Sequence, residues 1–150
     1  DIPWIDIIGY ERSLLMRGPD FSLEDLYNIK TLTGELERNI MDFEVVSKKY
    51  YIKERELHIQ DASGTIYMFD LTHNILLQTE KLTIYFTERG KNTSERDMTY
   101  IDVRIPRGIF KCPFETETIC MRNLENIYGS GAGSFHVKEN PEQEDTNQEE

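Results

Sequence analysis

Apolar side chains recur at helical spacing in two stretches of the chain. In the first stretch they stand three or four positions apart, which places them on one face of an α-helix. Ser22, with Asp25 three residues later, resembles a capping box with Asp in the usual Glu position. We therefore predict a helix from Ser22 to about Asn39. Its apolar face comprises Leu26, Ile29, Leu32, Leu36 and Ile40.

The second helical stretch begins just after residue 70. We expect Thr72 or Asp70 to cap it, because a side-chain oxygen there can accept the unpaired N–H groups of a first turn. The residues that predict its buried face are Leu71, Ile75, Leu76, Thr79, Leu82 and Phe86.

Segments rich in β-branched and aromatic residues predict the strands. We expect residues 43–70 to form a three-stranded antiparallel meander, with a turn at residues 61–64. A last strand follows Pro106-Arg107-Gly108 and should lie at an edge. Adjacent strands with helices on one side are typical of an α+β fold, so we predict a largely antiparallel sheet with two helices packed on one face. The strand segments are Ile2–Tyr10, Phe43–Ile52, Leu57–Ile59, Thr65–Asp70, Met98–Ile105 and Ile109–Lys111.

The charge divides the chain of 150 residues into two parts. Residues 1–112 hold nineteen acidic and fifteen basic side chains, whereas residues 113–150 hold nine and two. Glu139–Glu150 has six acidic residues and nothing apolar, so it cannot offset its ordering entropy by burial. We predict an α+β domain over residues 1–112 and a largely disordered acidic tail over residues 113–150, with the boundary between Cys112 and Tyr128.

The net charge of −11 argues against nucleic acid or an anionic membrane surface as the main partner, because both require a basic face. No apolar run is long enough to cross a bilayer, and no signal peptide opens the chain. Because the first residue is Asp1 rather than Met, we interpret the chain as a fragment or a processed product.

Few residues suggest chemistry. The three histidines, His58, His73 and His136, are scattered, and isolated histidines are more often structural than catalytic. Asp61 and Asp70 are explained by a turn and a helix cap. Lys48 and Lys49 interleave with aromatic residues, but in an acidic protein we expect them at the solvated edge of a strand. We predict no catalytic residues, no metal site and no cofactor.

Cys112 and Cys120 stand eight residues apart. The pair permits a disulfide in an oxidising compartment, whereas reduced thiols are expected elsewhere. We expect free thiols. Asp102 and Arg104, two apart on a predicted strand, suggest either a solvent-facing ion pair worth about 0–1 kcal/mol or a functional motif.

Two segments resemble the FtsQ/DivIB cell-division family. Leu14-Leu15-Met16-Arg17-Gly18-Pro19-Asp20, followed by a helix, is similar to the turn that opens the helical part of that family's β domain. Tyr100-Ile101-Asp102-Val103-Arg104 resembles its Tyr-hydrophobic-Asp-hydrophobic-Arg strand. The similarity covers about Ile2 to Lys111, with the predicted elements in the family's order. The family's cytoplasmic tail, membrane span and POTRA domain are absent, and the two cysteines depart from its pattern.

The resemblance implies a non-enzymatic scaffold domain of the divisome, on the extracytoplasmic side of a bacterial plasma membrane, from a protein with a single membrane span. It implies FtsB/DivIC-like and FtsL-like partners during septum formation. Its partner contact corresponds here to an edge strand, where a partner strand could be added; the acidic body would favour a basic partner segment. The implied partner-binding residues are Ile105, Arg107, Gly108, Ile109, Phe110 and Lys111.

Two other classes remain open from the sequence. One is a generic extracytoplasmic protein-interaction domain of an envelope or secretion system. The other is a small enzyme whose site one sequence does not reveal, and a deep pocket lined by titratable side chains would favour it.

Overall fold

A computed structural model of the chain describes residues 4–9, 22–89 and 98–129. These residues form one six-stranded sheet in which the strands lie side by side in chain order. Three α-helices and one short 3-10 helix, Phe114–Thr116, accompany the sheet. The strands are β1 (Asp6–Ile8), β2 (Val45–Tyr51), β3 (Glu56–Asp61), β4 (Ile66–Asp70), β5 (Met98–Asp102) and β6 (Phe110–Pro113); the helices are α1 (Leu23–Asn39), α2 (Ile75–Arg89) and α3 (Glu117–Tyr128).

The predicted α+β class is confirmed, but the sheet is mixed rather than largely antiparallel. The meander of β2, β3 and β4 is antiparallel as predicted. However, β1 is parallel to β2 and β4 is parallel to β5. In each parallel pair a helix connects the two strands, as parallel neighbours require. The last pair, β5 and β6, is again antiparallel.

The main core lies between α1, α2 and one face of the sheet. Leu32 and Leu36 of α1 are fully buried there, as the helical spacing predicted, whereas Leu26 is partly exposed. From β4, Tyr67 and Phe69 point to this face, because alternate residues of a strand face opposite sides. Every second residue of a strand therefore enters the main core, and the residues between them face the other side of the sheet.

Helix α3 packs on the opposite face of the sheet, where no helix was predicted. Its Cys120 and Leu124 form a second core cluster with Ile66, Met68 and Tyr100. The two predicted helices, α1 and α2, do pack on one face, but a third helix, α3, covers the other face. Residues 113–128 complete β6 and form the 3-10 helix and α3 rather than a disordered tail, so the folded part reaches Tyr128, the far end of the predicted boundary range. Residues 130–150 lie outside the described residues.

The cysteine prediction is also wrong. Cys112 of β6 and Cys120 of α3 are joined by a disulfide, with their Cα atoms 6.2 Å apart. That separation lies within the range that disulfides span. The bond ties the start of α3 to the last strand.

Several local predictions differ from the structure. Asn74 caps α2, because its side chain accepts the N–H groups of Leu76 and Leu77 at 3.0 and 3.3 Å; neither Thr72 nor Asp70 does so. Ser22 caps α1 through the N–H of Asp25 at 3.3 Å. The Asp25 carboxylate does not complete the box.

The Asp25 carboxylate turns inward instead. It accepts two hydrogen bonds from Arg55, at 2.6 and 3.0 Å, and one from the Tyr50 hydroxyl at 2.5 Å. Burial alone would raise the pKa of Asp25, but these partners lower it below its usual value. The contact joins the first turn of α1 to β2 and to the turn that follows.

Strand ends and burial also differ. The predicted strands over Ile2–Tyr10 and Met98–Ile105 shorten to β1 and β5, and the last strand shifts to Phe110–Pro113. Lys48 and Lys49 are not at a solvated edge, since β2 lies between β1 and β3 and the two residues are only 3% and 6% exposed. The predicted segments Leu14–Met16 and Gly90–Asp97 lie outside the described residues.

Candidate functional site

The segment that the resemblance assigns to partner binding lies at one end of the sheet. β6 pairs with β5, with Phe110 opposite Asp102 and Cys112 opposite Tyr100. In the sheet formed by the described residues, no strand lies beyond β6. An edge strand has outward N–H and C=O groups that no neighbouring strand takes up. The position therefore supplies the backbone that strand addition needs.

The six predicted partner-binding residues divide into exposed and inward-facing ones. The Phe110 side chain is 51% exposed and its ring centroid lies 6.1 Å from that of Tyr100. Ile109 instead packs against the main core, so it supports the edge rather than presenting a surface, and Gly108 is partly buried. The exposed members are Ile105, Arg107, Phe110 and Lys111.

Lys81 of α2 fixes the connection between β5 and β6. Its ammonium donates to the carbonyl oxygens of Val103 at 2.5 Å and Gly108 at 3.2 Å, and also to that of Ile105. Three carbonyls of an irregular segment thus share one cation. Because buried or crowded carbonyls need a donor, this lysine holds the chain that enters β6.

Cations gather on the helix side of the same edge. Two cationic groups lie near the ring of Tyr85 in α2. The Arg89 guanidinium is 5.0 Å from the ring centroid and the Lys111 ammonium is 5.2 Å from it. Both distances suit cation–π contacts. The Tyr85 hydroxyl is buried and has no hydrogen-bond partner among the described residues. The ring therefore presents its faces, rather than its hydroxyl, to the charged groups.

Arg104, just after β5, is the centre of a second polar group. Its guanidinium makes two contacts with Asp102, at 2.7 and 2.8 Å, and one with Glu56 of β3 at 2.7 Å. It also donates to the Tyr128 hydroxyl at 2.5 Å, and that hydroxyl donates to Glu56 at 2.7 Å. The motif pair predicted from the sequence is therefore not a solvent-facing ion pair, because it joins β3, β5 and the end of α3.

Electrostatics favour the charged forms in this group. Burial alone would raise the pKa of Glu56, but the hydrogen bond from Tyr128 and the charge of Arg104 lower it below its usual value. Burial alone would lower the pKa of Arg104. The carboxylates of Asp102 and Glu56 outweigh burial, so the pKa of Arg104 lies above its usual value. A charged guanidinium and a charged carboxylate are thus the resting states. The arrangement fixes the end of α3 to β3 and β5.

His58 of β3 lies beside this group and is fully buried. Its ring packs against Tyr51 and Tyr128, with both centroid separations at 4.6 Å. Neither ring nitrogen has a hydrogen-bond partner among the described residues, and the closest charged oxygen, on Glu56, is 3.7 Å from Nε2. Burial lowers the pKa of His58, so the ring is neutral.

The carboxylates of Asp61 and Asp70 both accept local hydrogen bonds. Asp61 accepts hydrogen bonds from Ser63 at 2.6 Å, from the Thr65 N–H at 3.1 Å and from Tyr67 at 2.7 Å, which confirms its role in the turn. Asp70 accepts from the Thr72 N–H at 2.8 Å. Within the described ranges, no three His, Cys, Asp or Glu side chains meet as metal ligands would.

Sequence reasoning missed Lys81, Glu56 and Tyr128. Lys81 and Glu56 are ordinary charged residues, and only the folded chain shows that Lys81 reaches carbonyls more than twenty residues away. Tyr128 did carry a signal, since Cys120, Leu124 and Tyr128 stand four apart and would share a helix face.

Comparison with the models of known protein families finds no match, and no curated protein matches the chain. No helix in the part of the chain that the structure describes is both long and apolar enough to cross a membrane.

Proposed function

We propose that this domain is a non-enzymatic scaffold of the bacterial divisome, which binds FtsB/DivIC-like and FtsL-like proteins by adding a partner strand to β6. The observation that carries the proposal is the position of β6, an edge strand directly after the Tyr100–Arg104 motif. The order of the helices and strands agrees with the order that the family resemblance implies, and this supports the proposal.

The surface around β6 suits a strand with apolar and acidic side chains. Phe110 and Ile105 provide exposed apolar area, which can anchor a partner side chain. Arg107 and Lys111 are exposed beside them, and residues 105–113 contain no acidic residue. The net charge of the chain favours a basic partner, but the local charge at the edge has the opposite sign. We therefore expect acidic side chains in the segment that contacts β6.

The support for β6 fits a binding role as well. Lys81 holds the entering segment and Ile109 anchors it in the core, so the edge is shaped before a partner arrives. Pre-organisation of this kind lowers the ordering cost of binding. In the parent protein, a membrane span outside this chain would hold the domain on the extracytoplasmic side.

The test is a titration of the labelled extracytoplasmic segment of the FtsB/DivIC-like protein from the same organism. If Phe110 is a hot spot, Phe110→Ala should weaken binding by about 2 kcal/mol or more. Lys111→Glu should also weaken binding of the segment, and the loss of affinity should be larger at low salt than at high salt, because salt screens charge–charge interactions. Tyr27→Ala is the matched control, because Tyr27 is an exposed aromatic residue on α1 and should leave the affinity unchanged.

Circular dichroism of each variant separates lost binding from lost folding. Wild-type protein that does not bind the segment would refute the scaffold proposal. Equal affinities for wild type and for both edge variants would refute β6 as the site.

A further inference from the structure

We propose that the Cys112–Cys120 disulfide is a redox latch, which holds α3 on the sheet and thereby keeps β6 in its binding shape. Reduction by a dithiol would release α3 and weaken partner binding at β6. The binding half of this inference rests on the proposed function, whereas the release of α3 does not.

Two anchors hold α3, one near each end. Near its start, Cys120 is bonded to Cys112 of β6. At its last residue, the Tyr128 hydroxyl contacts Glu56 and Arg104, and its ring packs on Tyr51 with centroids 4.9 Å apart. Between the anchors, Leu124 is buried in the second core cluster.

Most other side chains of α3 are exposed to solvent, although Met121 also packs against the second core cluster. Ile119 and Ile127 are exposed, and helices of twelve residues are marginal in water unless other parts of the protein hold them. No side-chain hydrogen bond caps the start of α3 at Thr116. The disulfide therefore supplies the main constraint at this end of the helix.

Opening the disulfide affects both the sheet face and its edge. Cys120 covers Ile66, Met68 and Tyr100, so a displaced α3 would expose these apolar side chains. β6 has only four residues and pairs with β5 alone in the described sheet. The disulfide joins Cys112 of this strand to Cys120, which is buried in the second core cluster, so losing that bond should loosen the strand at Cys112.

The chemistry requires a dithiol, of the small-molecule or thioredoxin-like class. One of its thiolates attacks the Cys112 sulfur, which is partly exposed, whereas Cys120 is fully buried. The Cys120 thiolate leaves and takes up a proton. The second thiol of the reductant then breaks the mixed disulfide, and Cys112 leaves as a thiolate and is protonated. Two electrons and two protons pass to the protein, and the dithiol becomes a disulfide.

The test compares hydrogen exchange in the full chain before and after treatment with dithiothreitol. Reduction should speed exchange of the α3 amides by roughly tenfold or more, because the short covalent loop no longer restrains the helix. The α1 amides should keep their protection. A Cys112→Ser/Cys120→Ser double variant should exchange like the reduced protein and should not respond to dithiothreitol.

Two results would overturn the latch. One is alkylation of both cysteines in the untreated protein, which would show that no disulfide forms. The other is unchanged exchange in α3 after complete reduction, with intact mass showing the gain of two hydrogen atoms.

Binding of the same labelled partner segment tests the functional half. We expect the reduced protein to bind at least roughly fivefold more weakly, a difference of about 1 kcal/mol. Equal affinity of the oxidised and reduced forms would overturn control of β6 by the latch. Faster α3 exchange with no binding by either form would instead count against the proposed function and leave the latch intact.

Discussion

His58 is a titratable residue that the fold keeps neutral. It lies between the rings of Tyr51 and Tyr128, and burial lowers its pKa below the ordinary value of 6.5. Glu56 attracts a proton to the ring, as does Asp102, whereas Arg104 opposes one. Lys49, its cross-strand partner on β2, adds a further cationic side chain nearby. Protonation of His58 therefore disfavours the folded state.

The sign of the pH effect follows from this shift. Below pH 6.5 the unfolded chain binds a proton at residue 58 that the folded chain does not, so the free energy of unfolding falls as the pH falls, until the folded-state pKa is reached. We expect a loss of up to about 1.4 kcal/mol per pH unit between pH 7 and 5. Urea unfolding at the two pH values measures it.

His58→Phe is the matched variant, because a phenyl ring has a similar shape and neither ring nitrogen of His58 has a partner among the described residues. We expect unchanged or higher stability at pH 7 and a flatter profile down to pH 5. The lowered pKa values of Asp25, Glu56 and Asp70 matter only at lower pH. If wild type and His58→Phe lose the same free energy of unfolding between pH 7 and 5, His58 is not the source of the pH dependence.

At the scale of elements, helical spacing predicted α1 better than α2. Helix α1 spans the predicted residues, whereas α2 starts at Ile75, later than predicted, and its inner face includes Gln78 and Thr79. Gln78 is polar yet buried, because its amide pairs with the backbone N–H and C=O of Asp70, both at 2.8 Å. A buried glutamine that hydrogen-bonds to the backbone at the end of a strand does not appear in a pattern of apolar residues. The apolar pattern therefore placed Leu76 on the buried face, which is wrong.

Leucines on the two helices test this reading. Leu36 of α1 is fully buried and Leu76 of α2 is 54% exposed. Leu36→Ala should lower the free energy of unfolding by about 2–5 kcal/mol, from lost burial and a cavity. Leu76→Ala removes the same atoms from a solvent-facing site and should change it by less than about 0.5 kcal/mol. Similar losses in denaturant unfolding would show that the helix faces are misplaced.

Helix α3 shows how composition can hide an element. The acidic charge of residues 113–150 predicted disorder, yet Pro113 precedes the helix and Gly129, with φ +92°, follows it. Glycine is common just past the end of a helix, because without a Cβ it takes up a positive φ at little steric cost. The sequence contains signals for the start, the end and the apolar spacing of this helix. The acidic composition averaged over residues 113–150 concealed them.

At the scale of the whole molecule, contacts between distant residues complete the fold. Tyr128 and Glu56 stand 72 positions apart, and no local pattern indicates that they meet. The parallel pairs were more accessible to prediction, because each predicted helix lay between two predicted strands and such crossovers usually give parallel neighbours. The class and most elements thus follow from local patterns, whereas the second core face depends on long-range packing.

Two truncations measure how much of the chain belongs to the domain. A chain ending at Cys112 loses α3, the disulfide and Tyr128, and it exposes Ile66, Met68 and Tyr100. We expect its Tm to fall by at least about 5 °C, since apolar burial and a restraint on the unfolded chain both disappear.

A chain ending at Lys138 is the matched control. It lacks only Glu139–Glu150, which holds six acidic residues and none that is apolar, so thermal unfolding should leave its Tm unchanged. If the Lys138 chain also loses several degrees, the acidic segment contributes to the folded domain. If the Cys112 chain keeps its Tm, α3 is an appendage and the second core cluster adds no stability. The expected pattern, a large loss in one and none in the other, places the end of the domain between Cys112 and Lys138.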